Sequence, residues 1–180
     1  MGEPVKYKTR KAWNHFGHSH SFTFSTFEGR PYLLDDRICE QLARRLKKAA
    51  KRHRFVILAF VFMPDHVHVL IHPMRYPYDI GAILKSIKHS PSLVAHNRGW
   101  IDTVLWEPGG GYDRNVFVDQ TRTNIIRYIH RNPTKRKLAE EIIDYRWSSA
   151  NWYVTGEPGE VECRYYSELD GDTMEINELP

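Results

Sequence analysis

An α+β fold, with a ferredoxin-like antiparallel sheet and helices mainly on one of its faces, is predicted for this chain. Short segments that alternate apolar and polar residues predict strands, and longer segments with apolar residues at helical spacing predict helices. Their order along the chain is β, α, β, β, α, short β, α, which is typical of antiparallel sheets with packed helices. A length of 180 residues with 41% hydrophobic content is sufficient for one domain with a sizeable core.

The first predicted strand and helix come early in the chain. The segment HSFTFSTF alternates polar and apolar residues, and Gly29-Arg30-Pro31 ends it. Asp35 or Asp36 then caps a helix that runs to about Lys51. The buried stripe of this helix is expected to contain Ile38, Leu42 and Leu46.

A hairpin is predicted next. RFVILAFVF is the second strand and HVHVLIH the third, with the turn Met63-Pro64-Asp65 between them. Residues 79–97 follow with Ile80, Ile83, Leu84 and Ile87 at helical spacing.

The last predicted elements follow residue 101. DTVLW is interpreted as a short strand, and the glycine-rich EPGGGYDRN as a loop. DQTRTNIIRYIHRN predicts a further helix that Pro133 stops. We therefore expect one folded domain over residues 1–153, followed by an acidic tail over residues 154–180.

Composition limits the class of protein. Two cysteines, Cys39 and Cys163, are too few for a disulfide framework, and no apolar run approaches the roughly 20 residues that span a bilayer. The polar start MGEPVKYKTRK lacks the apolar core of a signal peptide. The chain is therefore expected to be a soluble, cytoplasmic protein with no membrane partner.

Charge is distributed unevenly along the chain. Residues 151–180 contain eight acidic side chains and one basic one, whereas residues 1–150 contain 25 basic and 14 acidic ones, so the body is near +11 and the tail near −7. A basic body suits a polyanionic partner, because each phosphate neutralised by Lys or Arg releases condensed counterions, but a solvated basic surface gives the same composition. For the tail, a solvated segment is favoured over one that mimics DNA.

The first predicted helix concentrates positive charge on its outer side. Its candidate nucleic-acid-binding residues are Arg44, Arg45, Lys47, Lys48, Lys51 and Arg52. The same residues would also serve as an ordinary solubilising helix surface, and the two interpretations remain open. Trp147, Trp152 and Tyr153 are either core residues or base-stacking groups, with core favoured for most of them.

Histidines interrupt the apolar third strand. Side chains alternate between the faces of a strand, so His66, His68, Leu70 and His72 share one side. Two imidazoles at positions i and i+2 lie within reach of one metal ion, although an isolated His-x-His is also compatible with structural histidines. His72 lies further along the strand and is expected to matter less.

The last helix presents a tyrosine between polar and cationic residues. Asn124, Tyr128 and Asn132 fall on one stripe, and Arg127, His130 and Arg131 flank the tyrosine. A core tyrosine is the commoner use of this residue in a helix. Cationic neighbours nevertheless suit a phenol that attacks a phosphate, and Asn132 could supply an oxygen ligand to an ion held by the two histidines.

In these motifs the chain resembles the HUH single-tyrosine transposases, and among them the REP-associated tyrosine transposases. The resemblance depends on MPDHVHVL, YIHRNP and DYRWSSANWY in this order, and it covers about residues 15–153. It implies an HUH endonuclease fold and a transposase that nicks and joins single-stranded or hairpin DNA through a 5′-phosphotyrosine. The DNA sequence recognised, and whether the chain acts as a monomer or a homodimer, are left open.

The resemblance also assigns roles to residues. Tyr128 corresponds to the nucleophile, and His66 and His68 correspond to ligands of a divalent metal, Mg²⁺ or Mn²⁺. Asn132 stands where a polar residue completes the metal shell in relatives. Asp65 stands where many relatives carry Asn, and the loop WEPGGGYDRN is richer in glycine than usual. The basic helix, with Arg127 and Arg131, is expected to contact DNA phosphates.

Two other classes of protein share features with this sequence. HVHVLIH approaches the signature of the histidine triad nucleotide hydrolases, but Leu70 stands where the third histidine is required. A non-catalytic, domesticated module that binds hairpin or single-stranded nucleic acid would share the sheet, the basic helix and the aromatic residues. An assay for covalent protein–DNA adducts separates this alternative from a transposase.

Overall fold

The protein is described by a computed structural model at residues 14–157, 159–169 and 175–176. Its strands are β1 (Ser19–Ser25), β2 (Phe55–Met63), β3 (His66–Pro73), β4 (Arg75–Tyr76), β5 (Tyr112–Val116) and β6 (Glu175–Ile176). Its helices are α1 (Asp36–His53), α2 (Ile80–Asn97), α3 (Asp119–Lys135) and α4 (Ala150–Thr155), with short 3-10 turns at Phe27–Gly29, Tyr32–Leu34 and Tyr166–Glu168. Within these residues, no helix has the length and apolar character needed to cross a bilayer.

The central sheet has four antiparallel strands in the order β2-β3-β1-β5. Pro64 and Asp65 join β2 to β3, which confirms the predicted hairpin. In the register of β1 and β3, Thr23 lies opposite His68 and Ser25 opposite His66. The α+β class and the antiparallel sheet are therefore as predicted.

The two faces of this sheet carry different side chains. One face is apolar, and α1 and α2 cover it; its strand residues are Phe22, Phe24, Phe60, Phe62, Val67, Val69 and Ile71. The opposite face carries the histidines of β3 and the hydroxyl residues of β1, together with the apolar Val61, Met63 and Leu70. Only α3 among the long helices packs there, through Ile129. Two of the three long helices thus lie on one face.

Helix α1 begins where its sequence predicts and runs to His53, two residues beyond the predicted end at about Lys51. The Asp35 side chain accepts a hydrogen bond from the Arg37 backbone N–H, which caps the first turn. Ile38, Leu42 and Leu46 are fully buried against the apolar face. The basic half of the helix therefore points away from the sheet.

The segment from Tyr145 to Tyr153 covers the outer edge of β2. The Phe62 backbone N–H donates to the Trp147 carbonyl at 2.8 Å, and the Ser149 N–H donates to the Phe60 carbonyl at 3.0 Å. The Tyr145 hydroxyl donates to the Phe62 carbonyl and the Tyr153 hydroxyl to the Leu58 carbonyl, at 2.9 and 2.7 Å. Four residues of the DYRWSSANWY motif therefore satisfy the backbone of an edge strand.

The acidic segment beyond residue 157 is not a solvated tail over residues 159–169. Val161, Cys163 and Leu169 are buried, and the Arg164 N–H donates to the Ile57 carbonyl at 3.0 Å. The sequence did not indicate this packing, because the three apolar residues stand among charged ones. Whether residue 153 is a domain boundary stays a prediction, and most positions after 169 lie outside the described residues.

Two predicted elements differ from the structure. The fourth strand of the sheet is Tyr112–Val116, which begins within the segment predicted as a glycine-rich loop, whereas 102–106 contributes only an isolated bridge between Trp106 and Thr26. Helix α3 also continues through Pro133 to Lys135. Proline has no N–H to donate to the carbonyl four residues earlier, and the helix ends two residues after it.

Gly111 explains why glycine precedes the fourth strand. Its φ is +77°, and a Cβ atom there would lie 2.3 Å from the backbone oxygen of Thr23. Only glycine therefore allows β5 to approach β1 this closely.

Candidate active site

The sequence-predicted tyrosine and histidines meet on the histidine face, beneath α3. The ring centroids of His66 and His68 are 4.8 Å apart, and that of Tyr128 is 5.2 Å from that of His68. Alternation along β3 places both histidines on this face. Helix α3 crosses the same face and places the Tyr128 ring next to His68. Residues 60 positions apart are thus brought into one cluster, as the sequence predicted.

His68 is buried, with 7% of its surface exposed. Its Nδ1 lies 2.8 Å from the Thr23 hydroxyl, whereas its Nε2 has no hydrogen-bond partner. Burial, then the charges of His66 and Arg136, lower the pKa of His68 to about 4, so the ring is neutral near pH 7. An unmet buried N–H costs about 1–3 kcal/mol, so the favoured tautomer carries its proton on Nδ1 and a free lone pair on Nε2.

His66 is held by a carboxylate. Its Nδ1 lies 2.6 Å from Asp65 Oδ1, and Arg136 donates to both oxygens of Asp65 at 3.1 and 3.0 Å. Burial acts to raise the pKa of Asp65, but the hydrogen bonds from His66 and Arg136 outweigh it and hold this pKa below its ordinary value. Asp65 is therefore a carboxylate, which accepts from Nδ1–H.

Asn132 lies one turn after Tyr128 and is buried. Its amide nitrogen donates to the Tyr128 backbone carbonyl at 2.7 Å, which leaves the amide oxygen as the ligand atom it could offer. Among the described residues, no group of three or more His, Cys, Asp or Glu side chains is arranged to hold a metal ion. A metal here would therefore depend on two imidazoles and on a neutral oxygen.

One observation supports the fit of His66, His68 and Asn132 to a divalent cation. The Nε2 of His68 is a buried polar atom without a partner, on a neutral ring beside a second imidazole. Such an atom is costly unless something binds it. Neutral imidazole nitrogens and amide oxygens are both ordinary ligands for first-row divalent metals.

Tyr128 is accessible, with 48% of its surface exposed. The Lys135 ammonium lies 5.5 Å from its ring centroid. Arg127 and Arg131, on the same helix, are both exposed. A phenol in this setting can be reached by a phosphate, which the nearby cations would attract.

His72 belongs to a separate cluster. Its Nδ1 lies 3.0 Å from the Ser19 hydroxyl, and its ring packs edge-on against Tyr166. Arg122 stacks over Tyr166 and donates to Ser19, so polar partners surround the histidine. Burial, then the charges of Arg122 and His20, lower the pKa of His72 to about 4. The structure does not bring His72 into the cluster of Tyr128.

The basic residues of α1 are not near Tyr128. Arg45, Lys48 and Arg52 line a groove between α1 and α2 together with Lys85, and none of the described residues that line it is acidic. Arg44, Lys47 and Lys51 line a neighbouring hollow beside the start of β2. Because α1 covers the apolar face, the sheet separates this set from the histidine face.

Several residues that shape the site were not identified from the sequence. Thr23 and Arg136 contact the histidine cluster from β1 and from the end of α3. The polar alternation of β1 was visible, but nothing in it marked Thr23 as opposite His68 until the register was known. His130 proves to be structural, since its Nε2 lies 2.8 Å from the buried Ser149 hydroxyl.

Comparisons with known proteins give one family match and two similar solved structures. A family model described as IS200-like transposase matches residues 15–132. A solved structure of a REP-associated tyrosine transposase bound to a REP hairpin has a TM-score of 0.70 and 18% identity, covering 95% of this chain and 100% of that chain. A structure from Deinococcus radiodurans, provisionally named a transposase, has a TM-score of 0.46 and 20% identity, covering 67% and 95%. No protein of curated function matches the sequence significantly.

Proposed function

The chain belongs to the IS200-like transposase family, and we propose that it nicks and joins single-stranded, hairpin-bearing DNA through a 5′-phosphotyrosine on Tyr128. One observation carries this proposal: an accessible Tyr128 faces two neighbouring imidazoles, His66 and His68, of the same chain. The solved relative bound to a REP hairpin supports a hairpin as the form of DNA recognised.

The chemistry assigned to Tyr128 is a phosphoryl transfer. The phenol oxygen forms a bond to phosphorus while the bond from phosphorus to the 3′ oxygen breaks. The phenol proton is released, and the departing oxygen takes up a proton to become a 3′-hydroxyl. The phosphodiester energy is kept in the tyrosine link, so that a later attack by a DNA hydroxyl reverses the step and joins strands.

A divalent metal, Mg²⁺ or Mn²⁺, is proposed to be held by His66, His68 and Asn132. When bound, the ion supplies polarisation of the scissile phosphate. The protein's own part is to present two neighbouring imidazole rings, of which His68 is held neutral by burial, and to exclude water around His68. Asn132 holds the Tyr128 backbone through its amide nitrogen and would offer its oxygen to the ion.

DNA contacts are proposed on both sides of the sheet. Arg127 and Arg131 flank Tyr128 and would bind phosphates next to the cut. The basic groove between α1 and α2, whose described lining residues include no acidic side chain, would bind a part of the DNA that reaches the opposite side of the molecule. A DNA substrate also fits the cytoplasmic location expected from the sequence.

The Tyr128→Phe variant tests the proposal. We expect it to fold, to bind hairpin DNA with an affinity close to that of the wild type, and to form no covalent adduct, because only the hydroxyl is lost. Tyr112→Phe is the matched control, since Tyr112 is also exposed but lies on the edge strand, and it should form the adduct normally. Gel analysis of 5′-labelled products with Mn²⁺ and mass spectrometry of the trapped peptide provide the measurement.

Two outcomes would count against the proposal. If the wild type binds hairpin DNA and forms no adduct with either metal, the non-catalytic binder becomes the better interpretation. If the adduct maps to a tyrosine other than Tyr128, the nucleophile is wrong while the class of enzyme stands.

A further inference from the structure

We propose that Asp65 and Arg136 form a positioning pair that fixes the ring of His66 for metal binding and ties it to the helix that carries Tyr128. This inference rests on the proposed function, because it concerns the same site. Neither residue touches the reacting atoms, so both act through His66.

A short hydrogen bond joins Asp65 to His66. A carboxylate can only accept, so the 2.6 Å contact requires a proton on Nδ1, and Nε2 is then the nitrogen through which His66 would bind a metal. An asparagine at this position could turn either its oxygen or its NH₂ group towards the ring. Aspartate has no donor to present, and it therefore selects one tautomer.

Asp65 is itself held at its backbone and at its side chain. Its backbone carbonyl accepts from the backbone N–H and the hydroxyl of Thr26, both at 2.9 Å. Its carboxylate receives the Arg136 guanidinium at both oxygens. A carboxylate fixed at both ends presents its acceptor to His66 at one position.

Arg136 lies at the end of the helix that carries Tyr128. It is the C-cap residue of α3, two turns after Tyr128. The ion pair therefore joins the β2–β3 turn, which directly precedes the first histidine, to the helix that carries the proposed nucleophile. The distance between His66 and Tyr128 is thereby held from outside the cluster.

The two histidines are held in different ways. His68 is buried and contacts a neutral hydroxyl, whereas His66 is more exposed and contacts a charged pair. Burial restricts the ring of His68, of which 7% is exposed. His66 is less completely buried, so its orientation should depend more strongly on the polar pair than that of His68 does.

Metal binding without DNA tests the inference directly. The probe is Mn²⁺, titrated by electron paramagnetic resonance into the wild type, Asp65→Leu, Asp65→Asn and Arg136→Gln. We expect Asp65→Leu to weaken Mn²⁺ binding about 10- to 100-fold, the usual effect of losing a carboxylate behind a ligand histidine, and the other two to weaken it less. Glu40→Gln is the matched control, because it removes a surface ion pair with Arg44 far from the site and should bind Mn²⁺ like the wild type.

A second measurement is independent of the metal. In the metal-free protein, ¹⁵N correlation spectra of the imidazoles should show His66 with its proton on Nδ1, and Asp65→Leu should convert it to a mixture of tautomers. Wild-type Mn²⁺ affinity in Asp65→Leu, or an unchanged His66 tautomer, would overturn the inference. If the wild type itself fails to bind Mn²⁺, the proposed metal site is wrong, and the tautomer spectra still decide the role of Asp65.

Discussion

The two faces of the central sheet show how one set of strands serves both stability and chemistry. On the face covered by α1 and α2, β1 contributes Phe22 and Phe24, both essentially inaccessible to solvent. On the other face the same strand contributes Ser19 and Thr23, whose hydroxyls contact His72 and His68. The alternation of a strand therefore assigns packing to one side and polar contacts to the other, residue by residue.

The comparison teaches that the two functions can be changed separately. Truncation on the apolar face should cost stability and leave the histidine cluster intact in the molecules that remain folded. Substitution on the histidine face should cost metal binding or DNA cutting with less loss of stability. Three tests challenge this separation.

The largest effect is expected for Phe24→Ala. Phe24 is buried and packs edge-on against Trp106 at 4.9 Å between ring centroids. Loss of a buried phenyl ring leaves a cavity, and we expect the free energy of unfolding to fall by about 3–5 kcal/mol. Urea denaturation of the purified variant measures it.

The neighbouring residue provides the contrast. Thr23→Val keeps the shape of the side chain but removes the hydroxyl that contacts His68, and we expect a smaller loss of about 1–3 kcal/mol. Equal losses at the two adjacent positions would show that the faces are not energetically distinct.

A pH effect of intermediate size is expected from the histidine face. His68 and His72 have pKa values lowered to about 4 by burial, whereas the unfolded chain takes up these protons near pH 6.5. Their stabilising effect is therefore complete above about pH 6.5 and is lost as the pH falls towards 4, with about 1–2 kcal/mol lost per histidine at pH 5. Urea denaturation at pH 7 and pH 5, in EDTA, measures the difference.

His72→Gln isolates one of these contributions. Glutamine does not titrate in this range, so the variant should lose less stability than the wild type between pH 7 and pH 5. Parallel losses in the two proteins would mean that His72 is not held neutral by burial.

The smallest effect is expected at the edge of the sheet, away from both faces. Tyr153→Phe removes the hydroxyl that donates to the Leu58 carbonyl, and the expected cost is about 1 kcal/mol. Tyr112→Phe, at an exposed position on the other edge, should cost close to nothing. Thermal denaturation of the two variants gives the comparison, and equal melting temperatures would remove the proposed role of Tyr153 in covering β2.

Much of the fold could be predicted because its signals are local. The alternation in β1 and the apolar run of β2 identified these strands, and Asp35 marked the start of α1. The approach of Tyr128 to the histidines was also predicted, since both motifs resembled those of a known family. Their roles in catalysis and metal binding stay predictions.

The remaining features depend on contacts between distant segments. Strand β5 has the polar sequence YDRNV and forms only because Gly111 lets it approach β1, so no apolar pattern could reveal it. Helix α1 lies on the face opposite Tyr128 because of how the helices pack on the sheet, and the sequence of α1 alone does not show which face it covers. The contact of Arg136 with Asp65 joins residues 71 positions apart, for which neither sequence segment carries a signal.

The covered edge of β2 has a consequence for synthesis of the protein. FVILAFVFM is a nine-residue apolar strand, and an uncovered edge of this composition is a template for pairing with other chains. Its cover, Tyr145–Tyr153, is made about 80 residues later. A nascent chain thus exposes this strand until translation has passed the cover, and products that terminate before Tyr145 should aggregate even though they contain the histidines and Tyr128.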